Sequence, residues 1–383
     1  MPRAKIFGVS VFLFLSFPVL FFQSLYASPP CDPLATQKVK DVLSYLTALP
    51  NGTEKRIVSG QFGWDTSEVD QMVQGVGKYP GMIGRDYVDF PGSLTEPNAD
   101  LIAHWNAGGL VTMTYHMKNP KTNGSPWDTT SVDLSRVVQN GTTENINFKT
   151  ELDRLAGGLT QLRDAGVVVL YRPLHEMNGS WFWWGQKPGS QFQALWGYVF
   201  NYLTTTKGLH NLLWGYSPNE SLDMTYYPGG QYVDFVGVDM YGHGSTVPKV
   251  SGYDSLSSIG KPFAITELGL CAGGLTDNTS ACRPQDISGV ITSIKANMPK
   301  TVFWLSWNGV YSIPYNSNWN QLMADPWVIT RDEINIPTGG GGGPPQPPQN
   351  LNVIAPKASI LYPRTGSTVY RYRRVVNVTV AID

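Results

Sequence analysis

Short unbroken apolar runs recur along the chain, each closing on polar or aromatic residues. Eight stand out: Arg56–Gln61, Tyr79–Arg85, Gly109–Tyr115, Val167–Arg172, Asn211–Tyr216, Phe235–Met240, Phe263–Thr266 and Thr301–Ser306. A strand with one wet face would alternate apolar and polar positions, so runs that do not alternate predict parallel strands covered on both faces. Helical periodicity fills several of the intervals. Asn147–Ala165 spaces Phe148, Leu152, Leu155, Leu159 and Leu162 along one face and stops at Gly166. Ser190 is placed to cap a helix through Phe192, Leu195, Trp196, Val199 and Leu203 to Gly208. Alternating β and α units with eight strands predict an α/β fold, a (β/α)8 TIM barrel, with Thr36–Leu49 as a helix closing its bottom. A doubly wound open sheet would want a glycine-rich phosphate turn after the first strand, and Ser59–Asp65 lacks the G-x-G-x-x-G spacing.

The two ends of the chain read differently. Arg3 and Lys5 precede the apolar stretch Ile6–Phe22, and Leu25-Tyr26-Ala27 offers a cleavage point, so residues 1–27 are expected to be a secretory signal peptide. That expectation makes the mature protein exported and free of membrane. Gly339–Gly343 followed by Pro344-Pro-Gln-Pro-Pro348 marks a linker at 338–349, which leaves 28–337 for the barrel. Residues 350–383 hold two strand-like pieces around a turn, too little to bury a core alone. They read as the start of a β-sandwich-like accessory module or as a disordered tail. The chain has three cysteines. In an oxidising compartment Cys271 and Cys282 could clamp the loop between them, with Cys31 unpaired.

The net charge of −1 supplies no basic field for nucleic acid or an anionic membrane. Twelve Trp and nineteen Tyr exceed what a core needs, and aromatic faces suit the C–H-rich faces of sugar rings. The candidate chemistry agrees. Glycosidic bond cleavage requires two carboxyl groups, one protonated to assist the leaving oxygen and one ionised to attack or to activate water. Glu176 follows the fourth apolar run and enters a cluster of aromatics, Trp181-Phe-Trp-Trp184; Glu267 ends the seventh run. The C-terminal ends of barrel strands converge on one mouth, and the fourth and seventh strands stand nearly opposite across it.

Residues 170–185 (Leu-Tyr-Arg-Pro-Leu-His-Glu-Met-Asn-Gly-Ser-Trp-Phe-Trp-Trp-Gly), 236–242 (Val-Gly-Val-Asp-Met-Tyr-Gly), 265–269 (Ile-Thr-Glu-Leu-Gly) and 304–308 (Trp-Leu-Ser-Trp-Asn) together resemble glycoside hydrolase family 26, chiefly endo-β-1,4-mannanases. The first motif is specific, whereas Thr-Glu-Leu-Gly alone would be weak. The resemblance covers about residues 36–335. It implies a retaining enzyme that needs no cofactor or metal, with Glu176 as acid/base and Glu267 as nucleophile. It further implies that His175, Trp181, Tyr241, Trp307 and His116 surround the sugar at the cleavage point. The implied partner is a plant β-mannan, although the same resemblance permits β-1,3-xylanase or mixed-linkage β-glucanase activity, and a non-catalytic polysaccharide-binding barrel is the reading from another class; nothing in the sequence points to an obligate oligomer.

Each residue also has a plainer reading. His175 could hydrogen-bond a sugar hydroxyl or be a satisfied structural histidine. Tyr241 could donate to Glu267 or pack at the rim. A consecutive run points its side chains in different directions, so at least two of Trp181, Phe182, Trp183 and Trp184 must be structural. His116 directly follows the third strand and Trp127 lies in the loop after it, where a long loop could bind substrate or merely cover the barrel. Arg172 and Arg85 could each depress the pKa of a site carboxylate, which one being open, or form buried ion pairs without a part in catalysis, and Asp239 is expected to orient neighbours rather than react. Division of labour requires Glu176 to hold its proton near neutral pH while Glu267 does not. The sequon at Asn178 is read as coincidental, because a glycan there would crowd the site.

Overall fold

The computed structural model describes residues 28–51, 56–88, 97–270 and 282–337. In chain order the strands are β1 (Ile57–Val58), β2 (Gly60–Phe62), β3 (Met82–Asp86), β4 (Leu110–Thr114), β5 (Val169–Arg172), β6 (Leu212–Tyr216), β7 (Phe235–Tyr241), β8 (Phe263–Gly269), β9 (Thr301–Ser306) and β10 (Val328–Ile329). β2 to β9 pair in sequence and in parallel, except that β9 follows β8 and also pairs with β1 and β2. The sheet therefore closes into a barrel. β1 and β2 form one stave broken at Ser59, whose hydroxyl donates to Ile329 O at 2.9 Å and accepts from the Gly81 N–H at 3.0 Å. With that pair counted once, eight staves close the ring, and β10 adds beside β1 as a short parallel strand the sequence reading did not anticipate.

Burial explains why the strands read as continuous apolar runs, since nearly every strand residue is enclosed on both faces. Helix α1 (Gln37–Ala48) begins where the Thr36 hydroxyl accepts from the Val39 N–H. The Thr36 N–H donates to His210 O, and Lys38 Nζ to Gly166 O, both just ahead of a strand. The helix thus packs at the barrel's N-terminal end. Helices α2 (Ser67–Val76), α3 (Asn98–Asn106) and α4 (Leu134–Val138) are followed by α5 (Thr143–Asp164), which buries Phe148, Leu152, Leu155, Leu159 and Leu162 almost completely. Each such side chain contributes about 1.5–3 kcal/mol. The chain leaves α5 through Gly166 at φ +73°, a conformation that favours glycine. Helix α6 (Gly189–Asn201) starts without the predicted Ser190 cap. The carbonyl of Pro188 takes the N–H groups of Gln191 and Phe192 instead, so no side-chain acceptor is required. Helices α7 (Tyr253–Ser257), α8 (Val290–Asn297) and α9 (Trp319–Ala324) complete the described layer.

Residues 1–27 and 338–383, and with them the expected signal peptide, linker and accessory segment, lie outside the described residues, as does Cys271. Among the described residues no helix is long and apolar enough to cross a membrane. Cys31 is a free thiol, donating to Asp234 Oδ2 at 3.2 Å, while its own N–H donates to Asp234 Oδ1 at 2.7 Å. Burial beside that carboxylate pushes the thiol's pKa up, so Cys31 ties the start of the domain to the barrel as a neutral donor.

Candidate active site

Glu267 lies in β8 and is almost fully buried. Its Oε1 accepts from Arg172 Nη2 at 2.6 Å, and its Oε2 accepts from the Tyr241 hydroxyl at 2.6 Å. Both oxygens are therefore aimed by charged or phenolic donors, the strongest kind of hydrogen bond available to a carboxylate. Arg172, at the end of β5, also donates through Nη1 to Asp239 at 3.0 and 3.1 Å and to Ser217 Oγ at 3.1 Å. Asp239 is the adjacent partner of Glu267 across the β7–β8 ladder, which shifts register just before it. Burial pushes Asp239 up to about 7, against the pull of Arg172. Tyr241 closes β7 opposite Gly269, where a Cβ would stand 1.9 Å from the tyrosine ring, so the glycine of the Thr-Glu-Leu-Gly motif leaves room for the ring that positions Glu267.

Glu176 sits four residues beyond β5 in a left-handed conformation, φ +54°, two residues after Leu174 at φ +50°. Its N–H donates to Ser217 O at 2.8 Å, which anchors this unfavourable backbone to the next loop. Trp181 Nε1 donates to Glu176 Oε2 at 2.7 Å. An indole N–H can only donate, so when the acid carries a proton that proton belongs on Oε1. Burial, and then repulsion from Asp239 and Glu267, raise the Glu176 pKa well above the ordinary carboxylic range, with Trp181 and Arg172 opposing. Both glutamates are withdrawn from bulk water, and their partners set them apart: Glu176 has one indole donor and two carboxyls nearby, whereas Glu267 has a guanidinium and a phenol on its two oxygens.

Two histidines join these groups to the far wall. His175 lies with Nε2 3.1 Å from His116 Nε2 and 3.8 Å from Glu267 Oε1, while its Nδ1 meets Thr114 Oγ1 at 3.0 Å. Burial, with His116 and Arg172 nearby, drives its pKa well down, so His175 is a neutral hydrogen-bonding group. His116 pairs through Nδ1 with Asp86, whose other oxygen accepts the His116 N–H at 3.3 Å. Its ring stacks on Trp127 with centroids 5.2 Å apart.

These side chains line a cleft of roughly 590 Å³ together with Trp64, Val88, Phe182, Asn219, Glu220 and Trp307. Its size lies in the range of small-molecule sites. Trp307 stacks on Phe62 at 3.8 Å, leaving its other face to the cleft, and Trp64 meets Trp307 edge-on. Trp64 and Trp127, 41% and 52% exposed, are the large aromatics on the open walls. Of the four consecutive aromatics only Trp181 and Phe182 border the cleft. Trp183 and Trp184 are buried, donating to Met117 O and His175 O, so they are structural. Trp64, Asp86, Asn219 and Glu220 were not singled out in the sequence.

Arg85 takes the plainer of its two readings, an ion pair outside the cleft. It ends an apolar run, yet its side chain does not reach the cleft: it donates to Gly84 O and, at 3.4 Å, to Asp100 on α3. Side chains alternate along a strand, and Asp86, the next residue of β3, is the one that faces the site. Arg172 serves both Asp239 and Glu267, which settles the question of its carboxylate. Asn178 Nδ2 is held by Asn219 O and Oδ1, so its amide is engaged within the fold. Ligand atoms of His175, Asp239 and Glu267 lie within 4.8 Å of one another, as a cation would want. The Arg172 guanidinium already stands between the two carboxylates.

A closed parallel barrel whose mouth sets two carboxyl groups of opposite character in an aromatic cleft defines a glycoside hydrolase. Comparison with known proteins makes the class narrower. Residues 31–333 match Glycosyl hydrolase family 26, and the chain belongs to that family. It is 35% identical over 331 residues to a mannan endo-1,4-beta-mannosidase of Bacillus subtilis (strain 168), covering 80% of this chain and 89% of the relative. It is 37% identical over 331 residues to the mannan endo-1,4-beta-mannosidase A and B of Caldalkalibacillus mannanilyticus, covering 79% of this chain and 63% of the other. The solved structure of Bacillus subtilis mannanase man26 superposes with a TM-score of 0.72 at 33% identity, covering 80% of this chain and 96% of that one.

Proposed function

We propose that the protein is an exported, retaining endo-β-1,4-mannanase that cuts internal linkages of mannan, galactomannan or glucomannan. The observation that carries this reading is the contrast between Glu176, desolvated and beside two other carboxyls, and Glu267, aimed by Arg172 and Tyr241. The names of the relatives supply the polymer.

In the first step a Glu267 oxygen attacks the anomeric carbon while the Glu176 Oε1 proton passes to the departing glycosidic oxygen, giving a glycosyl ester and a free sugar end. Water then attacks the same carbon, Glu176 takes its proton, and the Glu267 carboxylate is released. His175 and His116, held by Thr114 and Asp86 and by each other through their Nε2 atoms, border the reacting ring as a fixed wall, and Trp307 gives it a flat floor. Trp127 walls the same half of the cleft. The protein acts as a monomer without cofactor, after removal of residues 1–27. A Cys271–Cys282 bridge closes the loop after β8; the free state of Cys31 is consistent with that pairing.

The test is reducing-end release by the mature protein on linear β-mannan, galactomannan, β-1,3-xylan and mixed-linkage β-glucan, with Glu176→Gln as the blank. Mannan cleavage absent from the variant is the expected result. Cleavage of another polymer instead would keep the mechanism and change the substrate, and silence on all four would indicate a polysaccharide-binding barrel without catalysis.

A further inference from the structure

We propose that Asn219, Glu220 and His243 form the seat for the leaving sugar, a binding site on the opposite side of the scissile bond from Trp307; this assignment rests on the mannanase reading. The order of staves carries the argument. Around the closed ring, Glu176 stands above β5 and Glu267 in β8. The shorter arc between them contains β6 and β7, and the longer arc contains β9, β1/β2, β3 and β4. Trp307, Trp64, His116 and Trp127 all follow or belong to the longer arc. A polysaccharide threaded between the two carboxyls has to place one sugar on each side of the line joining them. With the reacting ring against Trp307 and His116, the departing sugar meets what the shorter arc offers.

That arc offers polar groups. Asn219 and Glu220, from the loop after β6, line the cleft. Glu220 Oε2 bonds to Nε2 of His243, which lies just past β7, and the pair is about 30% exposed on each side. The platform beneath is tied to the catalytic groups. The Glu220 N–H donates to Asp239 O at 3.1 Å, and the Asn219 N–H and side chain exchange bonds of 2.9 and 3.0 Å with Asn178, two residues from the acid. A partly exposed carboxylate–imidazole pair of this kind contributes little to stability, about 0–1 kcal/mol at most, so fold maintenance does not account for it. Fixed on the cleft wall, the Glu220 carboxylate accepts hydrogen bonds from the hydroxyls of a neutral sugar, and His243 fixes the carboxylate's orientation. Recognition here is by hydrogen bonds, where the other arm of the cleft uses aromatic faces.

The experiment compares kcat/KM on mannopentaose with kcat/KM on an aryl β-mannobioside, whose leaving group has no sugar hydroxyls, for wild type, Glu220→Gln, Glu220→Ala and His243→Ala. Loss of a carboxylate–hydroxyl bond is expected to lower the mannopentaose-to-aryl ratio about tenfold in both Glu220 variants, with a smaller drop for His243→Ala. Transglycosylation to added mannobiose, which needs the same seat to hold an acceptor, should fall in step. Thermal melting checks that each variant is folded. A ratio unchanged from wild type, whether both substrates lose equally or neither does, would overturn the assignment. A wild type inactive on mannopentaose would overturn the proposed function, and this assignment with it.

Discussion

Trp181→Phe is the substitution that most directly probes how the acid is tuned. It removes the single indole N–H that donates to Glu176 Oε2 at 2.7 Å, and keeps an aromatic ring against the carboxyl. That bond favours the ionised form, so its loss raises the Glu176 pKa above a value already elevated by burial and by Asp239 and Glu267. A hydrogen bond to a charged group is worth about 1.5–3 kcal/mol, and about 1.36 kcal/mol corresponds to one pH unit. Glu176 keeps one face on the open cleft, where water screens it, so the lower end applies: about one pH unit. The acid works only while protonated, and activity is lost as pH rises through its pKa. The alkaline limb of kcat/KM against pH on mannopentaose should therefore move upward by about one unit in the variant. The plateau should fall about tenfold, since the carboxylate formed during proton transfer has lost a donor. An alkaline limb that stays in place or moves down would refute the reasoning.

Other outcomes follow from the same arrangement. Glu267→Ala should abolish turnover on every substrate, whereas Glu176→Ala should retain the first step for aryl glycosides with very good leaving groups; equal losses on such a substrate would remove the distinction between the two. Glu176→Gln should melt higher than wild type, by a margin that widens from pH 4 to pH 8. A carboxyl whose folded pKa is raised loses stability as pH climbs above its unfolded value, and the amide has no such loss. Calorimetry showing a margin that narrows with pH would contradict this. Arg85→Met should leave kcat/KM within about twofold, while Arg172→Met, which strands Asp239 and Glu267 as unpaired buried carboxyls, should lose activity by orders of magnitude and about 3–5 kcal/mol of stability in denaturant titration.

Much of the barrel was legible because its strands are enclosed on both faces, which writes them as runs such as Val167–Arg172 and Thr301–Ser306. Strand boundaries were less so: β8 continues three residues beyond Thr266 to Gly269 and carries Glu267 within it. β10 has two residues, too few for any period to show. The two cleft carboxyls could be read from where apolar runs end, but the same rule left Arg85 open between the site and a plain buried ion pair, because the end of a run does not say which face its last side chain takes. Asp86, one residue on, points inward and steers His116. Trp64, Asn219 and Glu220 come from loops whose path is set by packing, with no local pattern to mark them. The Arg172 bridge between Asp239 and Glu267 joins residues 67 and 95 positions apart, a contact that only the closed ring creates.

That bridge leaves the floor of the cleft with one guanidinium facing two carboxyl groups, and Glu220 adds a further acidic group at the rim. Among the described residues that border the opening there is no Lys or Arg to offset them. Polymers bearing uronate or sulfate groups would enter against an opposing field, and uncharged hexose chains would not. Charge at the mouth would thus sort polysaccharides before any hydroxyl geometry is read.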